Sequence, residues 1–216
     1  AALARLPAYP VSAIVSGAYV RGRKPGVILI GSHVAKTSAQ LAYLRKHTDV
    51  VPVCVDVEQL NVSNTLDWSE HAARFADTII AQIDTAHARG KTVAIYTSRE
   101  ELQFPSQRER LAFGERLSAF LMGLVRRLPE TIGFLISKGG ITSNDVLSSG
   151  LAVKQSRVLG QILTGCSVIC CPSDHERYPQ LPVVIFPGNV GAEAALAEVY
   201  GILTAPRESQ AIHRTA

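Results

Sequence analysis

Short apolar runs alternate with longer segments of helical period along most of this chain. The first run, Val27 to Ile30, is apolar at every position, as expected for a strand that is covered on both faces. Gly31 ends it, and the next segment predicts a helix from about Ala35 to His47. The same pattern predicts further strands at Val50 to Val55, Thr92 to Thr97 and Ile132 to Ile136, and long helices from Asp67 to Arg89 and from Gln107 to Arg127.

The predicted helices are amphipathic, and their apolar positions predict which sides are buried. Gly90 follows the second helix, where a glycine commonly ends one, and Pro129 follows the third, where it breaks the helical pattern. The predicted buried residues are Leu41, Ala42 and Leu44 in the first helix, Phe75, Ile79, Ile83 and Ala86 in the second, and Leu111, Leu117, Phe120, Leu121 and Leu124 in the third.

The chain changes character near residue 150. A short helix from about Ser143 to Gly150 precedes three predicted strands with little room for helices between them, at Val158 to Leu163, Cys166 to Cys171 and Leu181 to Phe186. Gly191 to Tyr200 predicts the last helix. The alternation favours an α/β fold with a mainly parallel, Rossmann-like sheet, helices on both faces, and a short β-rich C-terminal part that forms an antiparallel layer or edge.

The length and composition suit one large domain. The chain has 216 residues, and 47% of them are hydrophobic, which is enough for a sizeable core. We expect residues 25–204 to form this domain, residues 1–24 to be a linker with a possible edge strand, and residues 205–216 to be a polar tail. The sequence has no run of about 18 apolar residues, which a membrane-spanning helix would need, and no recognisable signal peptide. A cytoplasmic protein is therefore expected.

Charge and cysteine content argue against several classes of protein. With 22 Lys and Arg residues against 18 Asp and Glu residues, the net charge is +4, and the basic residues are distributed along the chain and not clustered. Neither nucleic acid nor a membrane is therefore expected as a partner. Cys54, Cys166, Cys170 and Cys171 suit neither a disulfide framework nor paired zinc knuckles, and we expect them to be reduced and mostly buried. A metal cluster from Cys166 to His175 is the alternative, but the strand-like alternation there favours packing, and no metal site is predicted.

Three glycine-containing turns follow three of the predicted strands, and ligands of open α/β sheets bind at the carboxyl ends of strands. The first turn begins with Gly31 and Ser32, whose amide and hydroxyl groups would face a ligand. It resembles a phosphate-binding P-loop, but Lys36 stands where the second glycine of that motif belongs, so a simple strand-to-helix turn is the alternative. His33 is expected to be a solvent-facing turn residue.

The second turn, at residues 137–143, has the clearer physical argument. Gly139 and Gly140 lack side chains, so a polyanion can approach the backbone, and the hydroxyls that follow can cap a helix whose N-terminal amides favour phosphate. Lys138 would add a mobile cation. The alternative interpretation is a tight turn with no ligand.

The third turn is Phe186-Pro187-Gly188-Asn189-Val190-Gly191, and its Asn189 could hydrogen-bond a base or a ribose. The G-x-G-x-x-G, G-x-S-x-G and H-E-x-x-H motifs do not occur in the sequence. The sequence therefore gives no motif evidence for a dinucleotide oxidoreductase, an α/β-hydrolase or a zinc protease.

Taken together and in this order, the motifs resemble the C-terminal nucleotide-binding domain of the four-carbon acid sugar kinases. The resemblance extends from about Pro25 to Leu203, and it rests on Gly31-Ser32 with Thr37 and Gln40 and on the runs at 137–146, 158–165 and 184–191. It implies a domain that binds ATP with Mg²⁺ and phosphorylates tetronates, such as erythronate or threonate, together with an N-terminal sugar-binding domain absent from this chain. A homo-oligomer is compatible with it.

The resemblance also implies a nucleotide site built from the three turns. Its residues are Ser32, Gly139, Gly140, Ile141, Thr142 and Gly188. Lys138 and Asn189 are added to the set because they adjoin these residues, and no general base is identified.

Two positions differ from the commoner pattern of the family. Ile141 stands where an acidic residue often follows the double glycine, and Phe186-Pro187 stands where a lysine often precedes the last glycines. These differences keep an alternative open, a catalytically inactive kinase-like module that acts as a scaffold or regulator of an attached enzyme. A third interpretation is an enzyme that uses the same turns for another phosphate-containing substrate.

Overall fold

A computed structural model describes residues 20–61, 68–100 and 102–205, which form one seven-stranded sheet with helices on both faces. The strands lie in the order β2-β3-β1-β4-β7-β6-β5. They are β1 (Val27–Ile30), β2 (Val51–Val55), β3 (Val93–Thr97), β4 (Leu135–Lys138), β5 (Arg157–Leu163), β6 (Cys166–Cys170) and β7 (Pro182–Phe186).

Five neighbouring strands, from β2 to β7 in that order, are parallel, and the last two are antiparallel. The predicted α/β fold is therefore confirmed, including the β-rich C-terminal part, which extends the sheet beyond β7. The helices are α1 (Ala35–His47), α2 (Trp68–Ala88), α3 (Gln107–Arg126), α4 (Gly140–Asp145), which continues as a π-helical turn over Val146–Gly150, and α5 (Ala195–Thr204).

The sheet separates two hydrophobic cores, and β1 belongs to both of them. Val27 and Leu29 pack on the side of α2 and α3, whereas Ile28 and Ile30 pack on the side of α1 and α5. All four side chains are at most 1% exposed. Successive side chains of a strand point to opposite faces, so a central strand with helices on both sides is apolar at every position.

Three predicted boundaries are wrong by a few residues. The fourth strand begins at Leu135 and not at Ile132, because Ile132 and Gly133 form a turn whose amides bind the carbonyls of Pro129 and Pro25. The helix after the double glycine begins at Gly140 and not at Ser143. The last helix begins at Ala195 and not at Gly191, a residue whose φ of 80° is outside the helical range.

Some predicted buried positions are also wrong. Leu111 is 62% exposed, and Phe113 takes its place in the core together with Phe120 and Leu124. Two residues correspond to about 200° around a helix, so Leu111 and Phe113 cannot share one side. Ala42 is exposed on α1, since it lies about 100° from Leu41 around the helix.

The predicted burial is confirmed for Cys166 and Cys171, whereas Cys170 is half-buried. All four thiols are free, and Cys54 is exposed because it lies on β2, the edge strand of the sheet. Within the described ranges, no helix is long and apolar enough to cross a membrane. The predicted edge strand before residue 20, the start of the second helix at Asp67 and most of the predicted tail lie outside the described residues.

Candidate functional site

The three glycine turns lie side by side at one edge of the sheet. They follow β1, β4 and β7, which are neighbouring parallel strands, so their carboxyl ends meet at this edge. The chain leaves β1 towards β2 and leaves β4 towards the other half of the sheet. Such a divergence opens a crevice between the two turns, and open α/β sheets bind ligands in this place.

Ser32 is the residue at which the three turns meet. The hydroxyl of Thr37 lies 3.2 Å from both the hydroxyl of Ser32 and the carbonyl oxygen of Gly188. A Cβ atom at Gly188 would lie 2.9 Å from Ser32 Oγ, and one at Gly139 would lie 3.1 Å from Ser32 Cβ. The backbone of both glycines thus approaches Ser32 closely, and a larger residue at either position would require Ser32 to shift.

The second turn presents backbone amides. Gly139 has φ = 126°, and the first hydrogen bond of α4 runs from the amide of Ser143 to the carbonyl of Gly139. The amides of Gly140, Ile141 and Thr142 consequently have no acceptor within the helix. Gly140 is exposed, and a Cβ atom there would have no neighbour within 4 Å. The backbone at Gly140 is therefore accessible from outside the turn.

The predicted capping by hydroxyls does not occur at this turn. Ser143 lies inside α4, and its Oγ donates to the carbonyl of Ser137 at 3.0 Å. The side chain of Thr142 covers Gly31 so closely that a Cβ atom at Gly31 would collide with its hydroxyl oxygen. Ser143 thus connects α4 to β4 by a hydrogen bond, and Thr142 packs α4 against the end of β1.

A buried glutamine supports the third turn. Gln40, which is fully buried on α1, donates from Nε2 to the carbonyls of Val190 at 3.0 Å and Ala192 at 2.8 Å. These bonds keep the segment around Gly191 in a turn, which explains why α5 begins four residues later. Asn189 at the tip of the turn is exposed and available to a ligand.

The prediction of a mobile cation at Lys138 is wrong. Lys138 is 0% exposed, and its ammonium group donates to the carbonyls of Pro187 at 2.6 Å and Gly188 at 3.2 Å. It also lies 4.1 Å above the centre of the Phe186 ring. Lys138 therefore fixes the third turn from the end of the neighbouring strand. A cation contributed by β4 thus lies beside Phe186 and Pro187.

Burial lowers the pKa of Lys138 to about 8, from 10.5 in the unfolded chain. Between these values the unfolded chain binds more protons than the folded chain, so this residue contributes more favourably to stability as the pH rises. We expect the free energy of unfolding of the wild type to increase relative to that of Lys138→Met between pH 7 and pH 9. Urea unfolding of both proteins at both pH values measures this change, and a constant difference would contradict it.

Three further polar residues lie near the turns, and Arg99 is the one that the sequence analysis did not identify. Thr37 is buried at the centre, and Arg99, which follows β3, donates from Nη1 to the carbonyl of Ser32. His33 is exposed as predicted, and its Nε2 lies 2.7 Å from the hydroxyl of Thr97. Partial burial of the ring against Thr97 and the charge of Arg99 lower the pKa of His33. In the sequence, the only signal for Arg99 is its position two residues after an apolar strand.

The polar groups around the three turns are mainly cations and hydroxyls, which suits a polyanion. Lys36 and Arg99 flank the site, and the oxygen ligands that its side chains offer are the hydroxyls of Ser32, Thr37 and Thr142. Mg²⁺ is usually bound through one or two carboxylates together with substrate phosphates. Among the described residues no three His, Cys, Asp or Glu side chains are close enough to share a metal. Any Mg²⁺ would thus be held chiefly by the phosphates with which it enters.

A depression lies away from the three turns, near the start of β5 and the end of β6. Its volume is about 1000 Å³, and Arg21, Arg157 and Cys170 are among the residues that line it. It is adjacent to Val20, where the described part of the chain begins after residue 19. We assign no function to it, because ligands of this fold bind at the carboxyl ends of the parallel strands.

Comparison with solved structures shows the same fold in longer proteins. A Bordetella bronchiseptica protein, described as a domain of unknown function with bound citrate in a domain-swapped dimer, has a TM-score of 0.65 and 15% identity over 89% of this chain and 43% of its own. A Salmonella typhimurium LT2 protein with a provisional tRNA synthase description has a TM-score of 0.61 and 20% identity over 85% of this chain and 42% of its own. The chain thus spans about two fifths of their length.

The comparison with protein families is more specific than the comparison of folds. A search of curated proteins found no match. Residues 27–196 match the family described as the nucleotide-binding C-terminal domain, and this range includes all three turns. The resemblance that the sequence motifs indicated is confirmed by this match. The chain therefore belongs to the family of nucleotide-binding C-terminal domains.

Proposed function

We propose that this chain is the ATP-binding domain of a sugar-acid kinase, which phosphorylates a four-carbon acid sugar together with a separate sugar-binding domain. One observation carries the proposal. Three turns from three neighbouring strands meet at Ser32, and the second turn begins a helix at Gly140, an exposed residue with no neighbour within 4 Å of a Cβ position. Backbone amides that are fixed before the ligand arrives are well suited to a chain of phosphates.

Each turn has a distinct role in this proposal. The amides of Gly140, Ile141 and Thr142 bind phosphate oxygens, and the absence of a side chain at Gly140 keeps the approach free. Ser32 offers a hydroxyl that Thr37 orients. Gly188 and Asn189 contact the nucleoside end of the ligand, where the exposed amide of Asn189 hydrogen-bonds the ribose or the base.

The proposed division of labour follows from what phosphoryl transfer requires. The acceptor hydroxyl must be held in line with the terminal phosphate, and a base must take its proton. The sheet edge around Ser32, at the carboxyl ends of the strands, contributes hydroxyls and cations. Among the described residues, no carboxylate shifts the pKa values of Lys138, His33 or Arg99, so no base is identified beside them. We assign the base and the sugar site to the remainder of a longer protein, since the chain covers 43% of the Bordetella protein.

Two further features belong to the same proposal. A homo-oligomer is supported by the domain-swapped dimer of the Bordetella protein. A cytoplasmic location is supported by four free thiols, because reducing compartments keep cysteines in this form.

Titration calorimetry with Mg–ATP tests the proposal directly. We expect saturable binding with one site per chain and a dissociation constant in the micromolar to millimolar range, roughly the range of typical KM values. Mg²⁺ without nucleotide should give no saturable heat, since the site has no carboxylate cluster for it. An absence of binding by Mg–ATP would contradict the proposal and favour the inactive scaffold. Phosphorylation of erythronate or threonate by this chain alone would contradict the division of labour.

A further inference from the structure

Among the described residues, Arg99 has a guanidinium group with only one of its three nitrogens hydrogen-bonded, and it lies next to the candidate site. It follows β3, which is the neighbour of β1 on the side away from β4 and β7. Its Nη1 donates to the carbonyl of Ser32, which fixes the guanidinium against the first turn. Its Nε and Nη2 are shielded from solvent, and neither has a hydrogen-bond partner within residues 20–61, 68–100 and 102–205.

These two nitrogens are arranged as a pair. In a planar guanidinium, the N–H bonds of Nε and Nη2 point in nearly parallel directions along one side, which matches two oxygens of a phosphate or a carboxylate. A charged donor that is buried without a partner is costly, whereas two charge-assisted hydrogen bonds to one anion would satisfy both nitrogens. The geometry thus points to an oxyanion as the missing partner.

Among the described residues, no carboxylate is close enough to shift the pKa of Arg99. The titratable groups that affect its pKa are the Cys54 thiol and the Tyr96 hydroxyl, and burial raises the pKa of both, which keeps them neutral at pH 7. His33 lies beside them, and its pKa is lowered, so it adds no negative charge. The positive charge of Arg99 is therefore free to attract an anionic ligand.

We infer that Arg99 forms an oxyanion subsite that holds the terminal phosphate of the nucleotide. This inference rests on the proposed function, and it also sets the direction of the ligand across the strand ends. The strands lie in the order β3-β1-β4-β7, so Gly188 and Asn189 are at one end of the site and Arg99 is at the other. A nucleoside at the third turn would place its inner phosphates over the amides of Gly140 and its terminal phosphate at Arg99.

Calorimetry with ATP and ADP tests the inference with Arg99→Met and a matched control. The control is Arg89→Met, which removes the same charge from an exposed residue ahead of β3, at the opposite edge of the sheet. We expect the wild type and Arg89→Met to bind ATP about tenfold to a hundredfold more tightly than ADP. Arg99→Met should lose this preference and bind ADP as the wild type does.

Thermal melts without ligand distinguish a binding role from a structural one. Arg99→Met should melt at the wild-type temperature or above it, because it removes an unsatisfied buried charge. A large drop in melting temperature would show that Arg99 stabilises the fold through its hydrogen bond to the Ser32 carbonyl, and it would overturn the inference. An equal loss of affinity for ATP and ADP, or no loss for either, would also overturn it.

Titration with inorganic phosphate separates this inference from the proposed function. If the wild type binds phosphate and Arg99→Met does not, the oxyanion subsite stands, even if no nucleotide binds and the proposed function fails. If the wild type binds neither phosphate nor nucleotide, both the subsite and the proposed function are wrong. Nucleotide binding with an unchanged preference for ATP in Arg99→Met leaves the proposed function intact and rejects the subsite alone.

Discussion

Gly140→Asp is expected to abolish nucleotide binding and to leave the fold intact. A Cβ atom at this exposed position meets nothing within 4 Å, so the new side chain needs no rearrangement. A carboxylate in the first turn of a helix is favourable, which predicts an unchanged or slightly raised melting temperature. The same carboxylate would occupy the space in front of the amides that we assign to phosphate.

The expected loss of affinity is at least about a hundredfold. Two like charges about 4 Å apart repel by about 4 kcal/mol at an effective dielectric constant of ~20, and about 1.4 kcal/mol corresponds to a factor of ten. Calorimetry with Mg–ATP measures the loss, and Gly140→Ala is the matched control, since it adds the Cβ atom without the charge. Wild-type affinity in Gly140→Asp would place the phosphates elsewhere and contradict the assignment of these amides.

Gly139→Ala, one residue before Gly140, should destabilise the fold by about 2–4 kcal/mol, although it adds only a single methyl group. Gly139 has φ = 126° and ψ = 139°, a conformation that side chains rarely allow. The added Cβ would also lie 3.0 Å from Thr142 Oγ1 and 3.1 Å from Ser32 Cβ, in a region that is already packed. The free energy of unfolding in urea measures the effect.

Gly140→Ala again serves as the control, because it adds the same methyl group one residue later. We expect it to keep the stability of the wild type within about 1 kcal/mol, since alanine is favoured over glycine in a helix. Equal stability of Gly139→Ala and Gly140→Ala would show that the first glycine is not needed for the close approach of the turns. Our account of how the second turn meets Ser32 would then be wrong.

The order of secondary structure follows from the pattern of apolar residues. Val27 to Ile30 is apolar throughout, because its alternate side chains enter two different cores. Such local patterns are strong where burial is complete, and they also located the turns at Gly31, Gly139 and Gly188. They are weak at the ends of elements, where a single hydrogen bond decides, and the starts of β4, α4 and α5 therefore differed from the predicted ones.

The fold class, the family and the backbone of the site were determined by the sequence itself. They depend on local periodicity and on glycines that set the backbone conformation at their own positions. Only the tertiary structure decided what the charged side chains do. Lys138 appeared to be a free cation, but the order β4-β7 brings the carbonyls of Pro187 and Gly188 within its reach. Arg99 gave little signal, because it lies 67 residues from Ser32 in the chain and comes close to it only through the pairing of β3 with β1.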